Sequence, residues 1–118
     1  MRAYELMIIF DGDLEEEAVA ASLSKATAAI EAEGGRVVSM LDTEPWGRRR
    51  FAYRINNKWE GVYVVLEVVT EANDLATIDR NLRLADRSEV VRHKIIRLPD
   101  SEVGRRGLLG EGEPATAD

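Results

Sequence analysis

Cysteine is absent from this chain, which excludes a disulfide framework and any thiolate metal site and suits a reducing compartment. Long hydrophobic runs are also missing. The opening MRAYELMIIF holds a short apolar stretch, then meets Asp11, Asp13 and three glutamates. That is too short and too soon acidic for a signal peptide or a membrane span, so a soluble, cytoplasmic protein with no membrane partner is expected. Glycine-rich phosphate loops of the nucleotide-binding kinds are absent. The single histidine, His93, lies between Arg92 and Lys94 with no adjacent carboxylate or nucleophile. Such a residue is structural or phosphate-facing far more often than a general base. The acidic run Glu15–Glu17 reads as a solvated helix start, because a divalent cation needs several oxygen ligands converging in a loop. No enzyme, cofactor, metal or small-molecule substrate is expected.

What is present is one domain's worth of chain, 118 residues with 45% hydrophobic content. Net charge is −6, but it is unevenly spread. Met1–Pro45 carries 3 basic and 10 acidic residues, Trp46–Leu98 carries 11 and 7, and the remainder carries 2 and 5. A basic middle inside an acidic chain still contacts phosphate locally, since fields fade beyond a Debye length of ~8–10 Å.

Ala3–Phe10 reads as a strand, with Tyr4, Leu6, Ile8 and Phe10 on one face and Glu5, Met7 and Ile9 on the other. Asp13 is the expected helix N-cap, with Glu16 completing a capping box. Val19, Leu23, Ala26 and Ile30 follow at helical spacing, and Gly34-Gly35 stops the helix. Arg36–Leu41 begins a second strand that runs on through a kink at Pro45 and Gly47 into Arg50–Ile55. Asn56-Asn57-Lys58 is turn material, and Gly61–Val69 is the strongest strand. A second helix is expected near Ala72–Leu84 and a last strand over Glu89–Leu98, closed by Pro99. The order β-α-β-β-α-β predicts an α+β, ferredoxin-like sandwich: a four-stranded antiparallel sheet with two helices on one face. The domain is placed at 1–98, and the Gly- and acid-rich 99–118 is expected to be a flexible acidic tail.

Both faces of the central strands are apolar. If Leu6, Ile8, Val64 and Leu66 face the helices, then Met7, Ile9, Tyr63 and Val65 occupy the face the helices leave bare. An uncovered apolar face is usually a partner surface; the alternative is coverage by the chain's own tail or a second copy.

The segment Trp46–Tyr53, WGRRRFAY, sets three arginines beside aromatics. Guanidinium forks pair with phosphate oxygens and stack on bases, so the pattern suits RNA. On extended chain Arg48 and Arg50 share one face and Arg49 takes the other. A charged edge strand that resists aggregation explains the run equally well. Further basic residues are Arg80, Arg83, Arg87, Arg92, Lys94 and Arg97, some of them expected to pair with Asp79, Asp86 or Glu89.

Together these residues resemble a known family. Met1-Arg2-x-Tyr4-Glu5, then Trp46, Gly47, Arg48, Arg49, Ala52, Tyr53 and Ile55, then Gly61 and Tyr63, are similar to the bacterial small-subunit ribosomal protein S-six family. Leu82-Arg83-Leu84 and Val91-Arg92 fall in matching order, so the resemblance spans Met1 to about Leu98. It implies the same ferredoxin-like fold, and a non-enzymatic protein that binds the central domain of small-subunit ribosomal RNA as a pair with ribosomal protein S-eighteen. The implied RNA contacts are Arg2, Arg87 and Arg92, to which the basic pattern adds Arg48, Arg49, Arg50 and Lys94. Trp46, Phe51, Tyr53, Met7, Ile9, Tyr63 and Val65 are the candidates for the protein interface. Arg54 stands where many members carry proline. An RRM-type single-strand RNA reader shares the topology but wants stacking aromatics on both central strands. An acyl-phosphate-cleaving domain wants an anion loop where this chain has Asp11-Gly12-Asp13.

Overall fold

The structure, a computed structural model, describes residues 2–42, 47–55, 58–71, 75–86 and 88–108. Alternating apolar side chains build the centre of the sheet. β1 (Arg2–Asp11) and β4 (Lys58–Thr70) pair antiparallel from Arg2↔Thr70 to Asp11↔Gly61. β5 (Val90–Arg97) takes the other edge of β1. β2 (Arg36–Leu41) and β3 (Gly47–Ile55) both line the outer edge of β4, one after the other, β2 along Val65–Val69 and β3 along Lys58–Tyr63. Five strands thus fill four lanes: β2 and β3 are two strands where one kinked strand in a four-stranded sheet was expected, and residues 43–46 between them lie outside the described residues. Gly47 has φ +94°, while Pro45 lies outside the described residues.

α1 (Glu16–Ala32) and α2 (Ala76–Leu84) cover one face. Tyr4, Leu6, Ile8 and Phe10 of β1 join Val64, Leu66 and Val68 of β4 beneath Leu23, Ala26, Ile30, Ile78 and Leu82 in one buried cluster. At ~25 cal/mol per Å² of apolar surface, each of these large side chains contributes about 1.5–3 kcal/mol by leaving water. The α1 stripe is as expected, with Val19 packed at its margin, and Gly34 supplies the left-handed stop at φ +88°. The start of the helix is not. Its N-cap is Glu15 and makes no side-chain cap. The Asp11 carboxylate instead accepts the Asp13 N–H at 2.8 Å, and the Leu14 N–H returns to the Asp11 carbonyl. That turn holds Asp13 outside the helix, where its carboxylate pairs with Lys58.

Past Pro99 the chain does not leave the sheet at once. Asp100–Arg106 forms α3, ended by Gly107 at φ +67°. Val103 and Leu108 bury themselves against Ala3, Val69 and Leu98, with Val38 alongside. The helices are therefore three, and the third lies on the face that α1 and α2 leave bare. Residues 109–118, the rest of the expected tail, lie outside the described residues.

Candidate interaction face and basic hairpin

Strand register decides which side chains share the second face. Met7 stands opposite Val65 on one side and Lys94 on the other, and Ile9 stands between Tyr63 and Arg92. Met7, Ile9, Tyr63, Val65, Arg92 and Lys94 therefore lie together, as alternation predicts. Their exposure differs. Val65 is 1% exposed and Ile9 8%, so both are covered by the chain itself, whereas Met7 and Tyr63 are half-buried and Arg92 and Lys94 are exposed.

Phe51, read as a partner-facing aromatic, is buried at 5% exposure. It packs with Ile9 and Val91, with Ile55 and Tyr63 at the margin. The cause is Gly61. A Cβ there would lie 2.6 Å from the Phe51 ring and 2.9 Å from Ile9, so glycine leaves the space that the ring fills. Phe51 and Tyr63 meet edge to face, with centroids 6.3 Å apart.

The three arginines divide as extended chain requires. Arg48 Nη1 donates to the Gly12 carbonyl at 2.8 Å and reaches Glu60 at 3.4 Å, tying the β3–β4 hairpin to the turn after β1. Arg49 lies over the Tyr63 ring, 5.6 Å from its centroid, and Arg50 over Trp59 at 5.0 Å. Stacking on a ring leaves guanidinium N–H groups free to donate outward. Tyr53 is 61% exposed and Trp59 46%. The hairpin thus carries exposed cations and aromatics, while Arg48 has a structural contact. Trp59 was not singled out in the sequence; an aromatic directly after the Asn56-Asn57-Lys58 turn, across from an arginine run, was the available signal.

Arg2 starts β1 opposite Thr70. At ~3.3 Å per residue it sits about 23 Å along the strand from the Ile9–Arg92 level, and alternation puts it with Tyr4 and Leu6 on the helix side, so the structure does not bring Arg2 together with Arg92 and Lys94. Trp46 and Arg87 lie outside the described residues. His93 faces the helices, its Nε2 2.7 Å from Asp79 Oδ1. That hydrogen bond, with Arg83 at 3.2 Å, holds the Asp79 carboxyl below its ordinary range. His93 therefore fastens α2 to β5.

The far end of the face is closed by ion pairs. Glu5 and Glu67 are directly opposite each other on β1 and β4. Arg106 of α3 reaches Glu5 at 3.2 Å, Glu67 at 2.9 Å and Glu102 at 2.8 Å, and Ser39 donates to Glu67 at 2.5 Å. These carboxylates, Glu102 first, push the Arg106 guanidinium further up. Arg105 and Arg106 in turn hold Glu102 below the usual carboxylate range.

Among the described residues no three His, Cys, Asp or Glu side chains converge as a metal site, and no helix is long and apolar enough to cross a membrane. An RRM-type platform is not assembled: β1 presents Met7 and Ile9, and Tyr63 is already engaged by Phe51 and Arg49.

Fold and face together define a ferredoxin-like sheet module with a partly open apolar face and a basic hairpin at its rim. The family described as "Ribosomal protein S6" matches residues 3–97. The small ribosomal subunit protein bS6 of Corynebacterium aurimucosum is 42% identical over 97 residues, covering 82% of this chain and 96% of that one. The bS6 of Salinispora tropica is 44% identical over 97 residues with the same coverage. The crystal structure of 30S ribosomal protein S6 from Thermotoga maritima superposes with a TM-score of 0.77 at 25% identity, covering 92% of this chain and 98% of that one. The chain belongs to the ribosomal protein S6 family. It is a small-subunit ribosomal protein, cytoplasmic, with a structural rather than an enzymatic role.

Proposed function

We propose that this chain binds the central domain of small-subunit ribosomal RNA together with ribosomal protein S-eighteen, using the β3–β4 hairpin and the open part of the sheet face. The observation that carries the reading is the division of Arg48–Arg50. Arg48 fixes the hairpin, and Arg49 and Arg50, both exposed, lie over the Tyr63 and Trp59 rings. A guanidinium pre-placed on a ring loses less freedom when it meets a phosphate. Arg92 and Lys94, exposed on β5 and level with Ile9 and Met7, extend the basic surface on the open face. The apolar part of the face, around Met7 and Tyr63 with exposed Leu41, is the surface offered to S-eighteen. α3 and its ion pairs confine that partner to the hairpin half of the sheet. Phe51, Ile9 and Val65 support the surface from within it.

The test is complex formation with a central-domain RNA fragment and S-eighteen. Arg49→Ala with Arg92→Ala should weaken assembly about tenfold or more while leaving thermal stability unchanged, each phosphate contact being a charge-assisted one. Assembly at wild-type strength would remove these residues from the interface.

A further inference from the structure

α1 presents more than its core stripe. Leu23, Ala26 and Ile30 enter the core, while the flank of Ala20, Ser24 and Ala28 lines a groove shared with β2 and β3. The groove has a volume of about 720 Å³, within the ~300–1,000 Å³ range of ligand sites. Its floor is apolar, including Val62 and a Met40 side chain that remains 41% exposed. Glu16, Glu31 and Asp42 stand around it. Among the described residues these three carboxylates have no hydrogen-bond or ion-pair partner. Arg48, the one cation among the described lining residues, is engaged by the Gly12 carbonyl and Glu60.

We propose that this groove docks a basic amphipathic segment of another protein. One or two aliphatic side chains would cover the apolar floor, and Lys or Arg side chains would meet the three carboxylates. Small residues along α1 permit close backbone approach, and the charged groups that line the groove are Glu16, Glu31 and Asp42 against the already engaged Arg48. That charge rejects RNA here and attracts a cationic chain. The groove opens on the helix side, opposite the sheet face assigned to S-eighteen, and meets the hairpin only at Gly47, Arg48 and Val62, where Arg48 is already engaged, so the inference does not rest on that assignment.

Nuclear magnetic resonance of the full chain titrated with a short synthetic Lys/Leu amphipathic peptide tests it, with a Glu/Leu peptide as control. Saturable shifts should centre on Met40 and Val62. The variant Glu16→Gln, Glu31→Gln, Asp42→Asn should weaken binding about tenfold, and Ser24→Trp, which fills the groove from an exposed helix position, should abolish it. Should Ser24→Trp unfold the chain, the charge-neutral variant decides alone. Shifts centred on the open sheet face or on the hairpin end around Arg50 and Trp59, equal binding of the Glu/Leu peptide, indifference to the neutralised carboxylates, or a self-associated chain with the groove already filled would each overturn the proposal.

Discussion

Arg106→Ala probes the link between α3 and the sheet. In the native chain Glu5 and Glu67 oppose each other across β1 and β4, and Arg106 bridges them at 3.2 and 2.9 Å. Without the guanidinium two like charges remain on adjacent strands, a destabilising pair. At ~5 Å separation their repulsion is about 3 kcal/mol for an effective dielectric near 20 and about 0.8 kcal/mol in water. Their side chains are 26% and 13% exposed and Arg106 is 27% exposed, so the site lies between these limits. The variant should lose about 1–3 kcal/mol of unfolding free energy in denaturant titration, more at low salt than at high. Glu5→Gln in the Arg106→Ala background should recover a good part of that loss, because it removes the repulsion rather than restoring a bond. The same Glu5→Gln in the native background should be neutral or harmful, giving a coupling of opposite sign in the double-mutant cycle. A loss below about 0.5 kcal/mol, or no recovery with Glu5→Gln, would refute the bridging role.

Three other outcomes follow from the geometry. Gly61→Ala places a methyl 2.6 Å from the Phe51 ring and should cost about 1–3 kcal/mol by overpacking, read as a lowered thermal midpoint. Leu66→Ala, at a fully buried position, should cost about 2–5 kcal/mol in the same assay. Acid should weaken α3 and α2 together. Glu102 and Asp79 are held below their ordinary values of 4.5 and 3.8, so their contributions are present above those values and fade as pH falls through the depressed folded pKa. Amide exchange measured from pH 5 downward should show both helices opening, and unchanged protection at Val103 and Ile78 would contradict it.

Local patterns made the sheet readable. Period-two alternation in β1 and β4 set the two faces, and the α1 stripe with its glycine stop set the covering helix. What escaped was long-range. α3 is short and offers only Val103 to the core, with Leu108 just past its end. It is held by Arg106 to Glu5 and Glu67, 101 and 39 positions away, so no window of sequence displays its stabilisation. Phe51 looked like a surface aromatic because the space it fills exists only once Gly61 is paired beside it. The Asp13 cap failed because Asp11 turned the chain first. Among the interface candidates, alternation placed Met7, Ile9, Tyr63 and Val65 on one face, but exposure depends on neighbouring strands that periodicity does not name.

The most direct test of the RNA-binding account is the affinity of this chain for a central-domain RNA fragment, with and without S-eighteen, across a salt series. The account predicts tight binding only with both proteins present, falling with salt at a log–log slope of roughly −3 for about four phosphate contacts. Binding that ignores salt, or no binding in either case, would contradict it.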